Sequence, residues 1–209
     1  MMDAMDEFVT VDMKKLGKKE AHNLLLSAVA PRPVALVTTL GENQVMNGAP
    51  YSYYNIVSIR PPMISIGISR RGNAYKDTIT HIRHSEVFTV NIVDEDNVTA
   101  VHKTAKTLPL DESELEAFGL TPVTSAYIKA PGIQEAKVRL ECRMKHTIPL
   151  EHQGKVTGDL VLGEILAVHV EKSLYKKRTV DTKGLRPVGR LGGNDYSTLG
   201  DIFTIESDD

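Results

Sequence analysis

Between residues 60 and 84 the chain gathers Arg60, Arg70, Arg71, Lys76 and Arg83 against a single carboxylate, Asp77. Ser69 and Thr78 add hydroxyls to the same stretch. Arginine forks match phosphate oxygens in pairs, and free N–H groups at a helix start favour an anion. Asp77 is a good N-cap residue, and Ile79 with Ile82 gives a modest apolar face, which predicts a helix over residues 77–84. The chemistry on offer is phosphate recognition by Arg70 and Arg71 with the hydroxyls of Ser69 and Thr78, Lys76 adding charge and the helix start after Asp77 adding N–H groups. The competing reading is a basic loop solvated at the surface. Three charge-assisted hydrogen bonds at about 1.5–3 kcal/mol each, less the cost of binding, fall short of the roughly 8 kcal/mol of micromolar affinity. Burial of a ring system would have to supply the rest.

A second candidate stretch, NGAPYSYYNIVS at residues 47–58, offers such a ring a wall. Gly48 and Pro50 are expected to interrupt a strand and expose backbone amides that could bond the edge of a heterocycle. Tyr51, Tyr53 and Tyr54 cluster beside them, and could equally be ordinary strand aromatics.

Other reactive side chains carry less. His81 and His84 lie three apart on the predicted helix, but two ligands without a third do not make a metal site. His84 is expected to face solvent or cap the helix C-terminus. Cys142 falls on the inward side of an alternating strand, where a buried, inert thiol is expected. Gly192-Gly193 lacks the strand–helix context of a dinucleotide fingerprint. No acid–base residue stands out as catalytic.

The elements that must position these residues follow from periodicity. Ala21, Leu24, Leu25 and Ala28 share one face of a helix predicted over residues 18–29. Apolar, β-rich residues 34–40, a turn at residues 41–43, and an extended stretch at 44–57 read as a hairpin. Over residues 63–69, Ile64, Ile66 and Ile68 alternate with Ser65, Gly67 and Ser69. One face can fill a core, and the other is stripped as if something must approach it. Residues 87–93 form a further strand. Asp94 and Asp96 offer N-caps to a helix bearing Val98, Val101, His102 and Ala105. Ser113 and Glu116 spell a capping box for a short helix that Gly119 ends. Val138, Leu140, Cys142 and Met144 point inward from another strand, with Arg139, Glu141 and Arg143 outward. A last long strand is predicted over 158–170. At least six strands with short helices between them predict a mainly β fold, an antiparallel barrel closed or partly closed.

Composition bounds the function. The chain has 209 residues, 25 basic and 27 acidic side chains, and one cysteine. A net charge of -2 argues against a nucleic-acid binder. No apolar run approaches the roughly 20 residues of a membrane span, and no basic-then-apolar leader opens the chain. The expectation is a cytoplasmic protein with a polar leader (1–17), one domain (18–172) and an extension (173–209) packed on the barrel or on a dimer partner.

Several segments in order carry a resemblance: APRPVALVTT (30–39), NGAPYSYYNIVSIRPPMISIGISRR (47–71), KDT (76–78), EVFTVNIV (86–93), EAKVRLEC (135–142), LGEILAVHV (162–170) and PVGRLGGNDY (187–196). Together they resemble the flavin reductase-like family with an FMN-binding split barrel, close to its flavoredoxin branch. The resemblance implies a homodimer holding FMN non-covalently near the subunit interface. Residues 69–71 and 76–78 would then hold the phosphate. Ala49, Pro50, Tyr51, Ser52, Tyr53, Tyr54 and Asn55 would contact the isoalloxazine, Ser52 and Tyr53 above all. It implies an oxidoreductase passing a hydride from NAD(P)H to FMN and on to a small-molecule or protein acceptor. The alternative is a flavoredoxin-like electron carrier fed by a partner protein without NAD(P)H. One departure bears on that choice. Reductases that feed two-component monooxygenases often carry Gly-Asp-His on a late strand, and here the stretch is Gly158-Asp159-Leu160.

Overall fold

Seven antiparallel strands carry the fold: β1 (Ala35–Leu40), β2 (Met46–Tyr51), β3 (Tyr54–Ile59), β4 (Pro62–Ser69), β5 (Val87–Ile92), β6 (Val138–His152) and β7 (Lys155–Val170). Their order across the sheet is β2-β1-β5-β6-β7-β4-β3. The computed structural model describes residues 7–72, 74–109 and 111–206. The first residues of the expected leader, 1–6, and the end of the expected extension, 207–209, lie outside them.

The two edge strands, β2 and β3, are consecutive in sequence and joined only by Ser52 and Tyr53. A flat sheet would hold its edges about 29 Å apart, six gaps of roughly 4.8 Å. The chain from Tyr51 to Tyr54 spans at most about 11 Å. The sheet must therefore curl until its edges nearly meet, which makes a barrel split at Ser52–Tyr53. Beside the split the Gly67 N–H donates to the Tyr53 carbonyl at 2.7 Å, extending the β3–β4 pairing by one residue. The expected hairpin over 34–57 is thus three strands, with the third sent to the far edge.

The barrel interior is filled by Val37, Ile64, Ile66, Ile68, Phe88, Val90, Cys142 and Val161, plugged by Ile79 and Ile82 of α2 (Asp77–Ser85). The outer face of β1 is buried too: Leu36 packs with Val101 and Leu115, on the short helices Val98–Lys103 and Glu114–Ala117. The small face of β4 has a physical partner in the chain itself. A Cβ on Gly67 would stand 3.2 Å from the Tyr53 Cβ, so Gly67 admits Tyr53.

Several local expectations are corrected. Gly48 and Pro50 do not interrupt β2, because an edge strand tolerates proline's missing N–H. The Gly48 amide is taken by Glu114 Oε2 at 3.3 Å, and a Cβ there would meet Leu115 at 2.6 Å. Lys76, not Asp77, is the N-cap of α2. Asn97 occupies the cap position of the Val98–Lys103 helix, while Asp94 Oδ1 accepts from the Asp96 and Asn97 amides. The Ser113 hydroxyl makes no capping bond and is buried without a partner. Glu141, expected outward, is fully buried. Its carboxylate accepts from the amides of Ala126 and Tyr127 and from His169 Nε2, at 2.6, 2.8 and 2.6 Å. The first helix, α1 (Lys18–Ala28), buries no residue, and Leu24 and Leu25 are exposed.

Candidate functional site

At the split a cleft of about 520 Å3 opens. Ser52 and Tyr53 line it because they bridge the sheet edges, with Gly67 and Ser69 from β4. His22 and Leu26 of α1 line it too, with His102 and the segment around Arg190–Tyr196. A smaller recess of about 90 Å3 adjoins the cleft, sharing Pro50, Lys76 and Ala105 with it.

The recess is polar. Arg71, Lys76 and Lys106 line it together with the hydroxyl residues Thr78, Thr104 and Thr107. It lies at the start of α2, whose first turn carries no side-chain cap and so keeps N–H groups for an anion. Burial, and next the charge of Arg71, push the Lys76 ammonium below its ordinary pKa. Two carboxylates, Asp77 and Glu114, share the recess. Burial pushes the Glu114 carboxyl up, which lowers the cost of an incoming anion. The buried Tyr51 hydroxyl makes no well-formed hydrogen bond, although the Thr78 hydroxyl acts on it. Burial raises it to about 12, so it stays a protonated donor.

The expected site residues divide. Ala49, Pro50, Arg71, Lys76, Asp77 and Thr78 line the recess, and Pro50, Tyr51, Ser52, Tyr53, Ser69 and Lys76 line the cleft. Arg70, Tyr54 and Asn55 line neither. The Arg70 guanidinium instead grips the fully buried Asp159 through two bonds, Nε to Oδ2 at 2.9 Å and Nη2 to Oδ1 at 3.1 Å. Arg83 joins the same carboxylate at 3.1 Å, and Tyr75 lies under both arginines. Tyr54 packs against the barrel core, and Asn55 is exposed, its Oδ1 bonded to the Ile56 amide. His81 bonds Thr39 Oγ1 at 3.1 Å, and exposed His84 pairs with Glu42 at 3.0 Å. Among the described residues no cluster of three metal-ligating side chains occurs.

Sequence reasoning assigned no site role to Arg32 or His102, and left that of Arg190 and Tyr196 open. A three-stranded ribbon explains their meeting: Arg32–Pro33 pairs with Gly189–Arg190, which pairs with Tyr196–Ser197. The Arg190 guanidinium lies 4.5 Å over the Tyr196 ring and its Nη1 reaches His102 Nδ1 at 3.3 Å. The Tyr196 hydroxyl meets the same nitrogen at 3.0 Å. A guanidinium only donates, so Nδ1 accepts and the ring proton sits on Nε2. Contacts across some ninety residues leave no local signal; only the PVGRLGGNDY segment pointed to this wall.

The arrangement can seat a planar ring in the cleft and an anionic group in the recess. Known structures share the fold. The crystal structure of nitrilotriacetate monooxygenase component B from Bacillus cereus is 39% identical, covers 95% of this chain and 98% of its own, and has a TM-score of 0.92. The 2-nitrobenzoate 2-nitroreductase of Pseudomonas fluorescens is 30% identical over 95% of this chain and 96% of its own, with a TM-score of 0.87. The flavoredoxin of Desulfovibrio vulgaris, at 23% identity over 86% of this chain and 93% of its own, shares the fold with a TM-score of 0.74. The family model of the flavin reductase like domain matches residues 27–185. This split-barrel chain therefore belongs to the flavin reductase-like family.

Proposed function

We propose that the protein is an FMN-dependent oxidoreductase, a cytoplasmic homodimer that takes a hydride from NAD(P)H and passes electrons to a small-molecule or protein acceptor. The observation that carries this reading is the junction of a ring-sized cleft with a recess holding Arg71, Lys76 and the uncapped start of α2. The residues fit the group. The Lys76 ammonium lies 5.7 Å from the centre of the Tyr51 ring, whose hydroxyl makes no well-formed hydrogen bond. Both can take a polar ligand. Bound there, the flavin supplies the hydride and electron transfer. The chain's own part is placement: Arg71, Lys76 and Thr78 hold the phosphate, while Ser52 and Tyr53 frame the ring with Ser69, which was expected at the phosphate but lines the cleft. The wall of α1 and the Arg190–Tyr196 segment limits water above it. No side chain needs to act as acid or base.

The homodimer rests on edge strand β3, where Ile56 and Ile59 are 61% and 73% exposed. An apolar, unpaired edge is a surface that asks for cover. Among the described residues no helix is long and apolar enough to cross a membrane.

The Gly158-Asp159-Leu160 stretch favours a second reading, an electron carrier without nicotinamide use. Asp159 is locked by Arg70 and Arg83, and Leu160 offers no imidazole. Purified protein should be yellow, or become so with FMN. Protein that stays colourless with added FMN would refute both readings. Anaerobic mixing with NADH, then NADPH, separates them: rapid bleaching marks the reductase, and none at high nicotinamide marks the carrier.

A further inference from the structure

The ribbon that walls the cleft sets two arginines directly opposite each other. Arg32 and Arg190 are register partners in an antiparallel pair, and Tyr196 is the next partner across from Arg190. Like charges so placed repel. Neither arginine has a carboxylate within ion-pair distance among the described residues, whereas neighbouring Arg70 and Arg83 share Asp159. Arg32 is 93% buried, 7% of its surface remaining exposed. Its Nη atoms donate to the carbonyls of Leu26, Val29 and Leu191, and its Nε–H has no partner. Carbonyls at the end of α1 offset part of the charge. The cleft lining includes His22, Arg32, Lys76, His102 and Arg190, and no Asp or Glu. Lys76 belongs to the phosphate recess, so Arg32 and Arg190 remain without a negative partner in the lining.

We propose that this ribbon end of the cleft is an anion subsite for the molecule that exchanges electrons with the flavin, and that this molecule is a small aromatic carboxylate. Resting on the flavin reading above, the proposal adds the substrate class. A compound stacking on the ring must be planar. Arg190 Nη2 now donates to the Gly193 carbonyl and to Asn194 Oδ1, neutral acceptors that a carboxylate would replace or supplement with charge; the ligand's carboxylate would meet that guanidinium and the His102 Nε2–H.

The test uses protein loaded with FMN and follows perturbation of the flavin absorbance by benzoate and by benzamide, its neutral counterpart. Benzoate should bind about tenfold more tightly. In Arg190→Gln that ratio should fall to about one, and in Arg190→Lys it should partly return. Equal affinity for the two ligands in the wild type overturns the proposal. So does a ratio that survives Arg190→Gln. If Arg190→Gln does not fold, the wild-type ratio and that of Arg190→Lys decide. ADP-ribose brings the same charge as a pyrophosphate, and tighter competition by it than by benzoate overturns the aromatic assignment in favour of a dinucleotide. Failure to take up FMN sinks the flavin reading separately. Calorimetric titration of the protein alone with benzoate and benzamide then decides the subsite by the same ratio.

Discussion

Asp159, wholly buried in β7, accepts two hydrogen bonds from the Arg70 guanidinium at 2.9 and 3.1 Å. That pair turns Arg70 away from the phosphate role its neighbour Arg71 can serve. Hydrogen bonding to Asp159 is also the main reason the Arg70 pKa lies above its ordinary value. It ties the end of β4 to β7, and Arg83 ties α2 to the same carboxylate. Asp159→Asn should cost about 2–3 kcal/mol, since two guanidinium groups lose their anion in a buried setting. Urea unfolding of the variant measures this; an unchanged midpoint would show the pair to be structurally idle.

Lys76→Ala should weaken FMN binding about 10- to 100-fold, from about 1.5–3 kcal/mol per charged hydrogen bond, and riboflavin binding far less. Equal losses for both ligands would refute the phosphate assignment. The pH dependence has a definite sign. Burial and Arg71 lower the Lys76 pKa in the free protein, and a phosphate needs the ammonium form. FMN affinity should therefore fall as pH rises through that lowered value. Glu114, raised mainly by burial, adds repulsion as it ionises, in the same direction. Lys76→Arg should flatten the alkaline part of the profile, because arginine stays charged.

Glu141 anchors the Ala126–Tyr127 amides to the barrel. Burial alone would raise its carboxyl, but those two amides and His169 outweigh it, and the pKa lies below the ordinary 4.5. A depressed carboxyl contributes stability that is full above about 4.5 and is lost as pH falls through the folded-state value. Wild-type stability should drop across that acid window. Glu141→Gln should remove part of the slope and cost about 1–3 kcal/mol at neutral pH through an imperfectly matched buried group. Thermal unfolding of both proteins from pH 3 to 7 tests it; parallel curves would discount Glu141.

Cys142 lies fully buried in β6, and burial pushes its thiol well above the ordinary value. The native protein should resist thiol reagents at pH 8 and react only on unfolding. Rapid labelling of folded protein, timed by absorbance, would contradict this.

The sequence by itself determined what periodicity and residue type can express. Ile64, Ile66 and Ile68 were legible as an inward face, because alternation is a property of one strand. The cationic run around Arg71 and Lys76 was legible because its members lie close in the chain. The antiparallel barrel followed from the number of strands and the scarcity of parallel crossovers. Tertiary structure decided the rest. Which of two adjacent arginines faces the recess depends on Asp159, a residue almost ninety positions away. Glu141 read as outward because alternation says which side a residue faces, not whether that side is covered, and the Ala126–Tyr127 loop covers it. Arg32, Arg190 and Tyr196 meet because segments far apart in sequence pair in a separate ribbon, and His102 reaches them from the Val98–Lys103 helix. Long-range pairing is set by how the whole chain packs, and no local pattern encodes it.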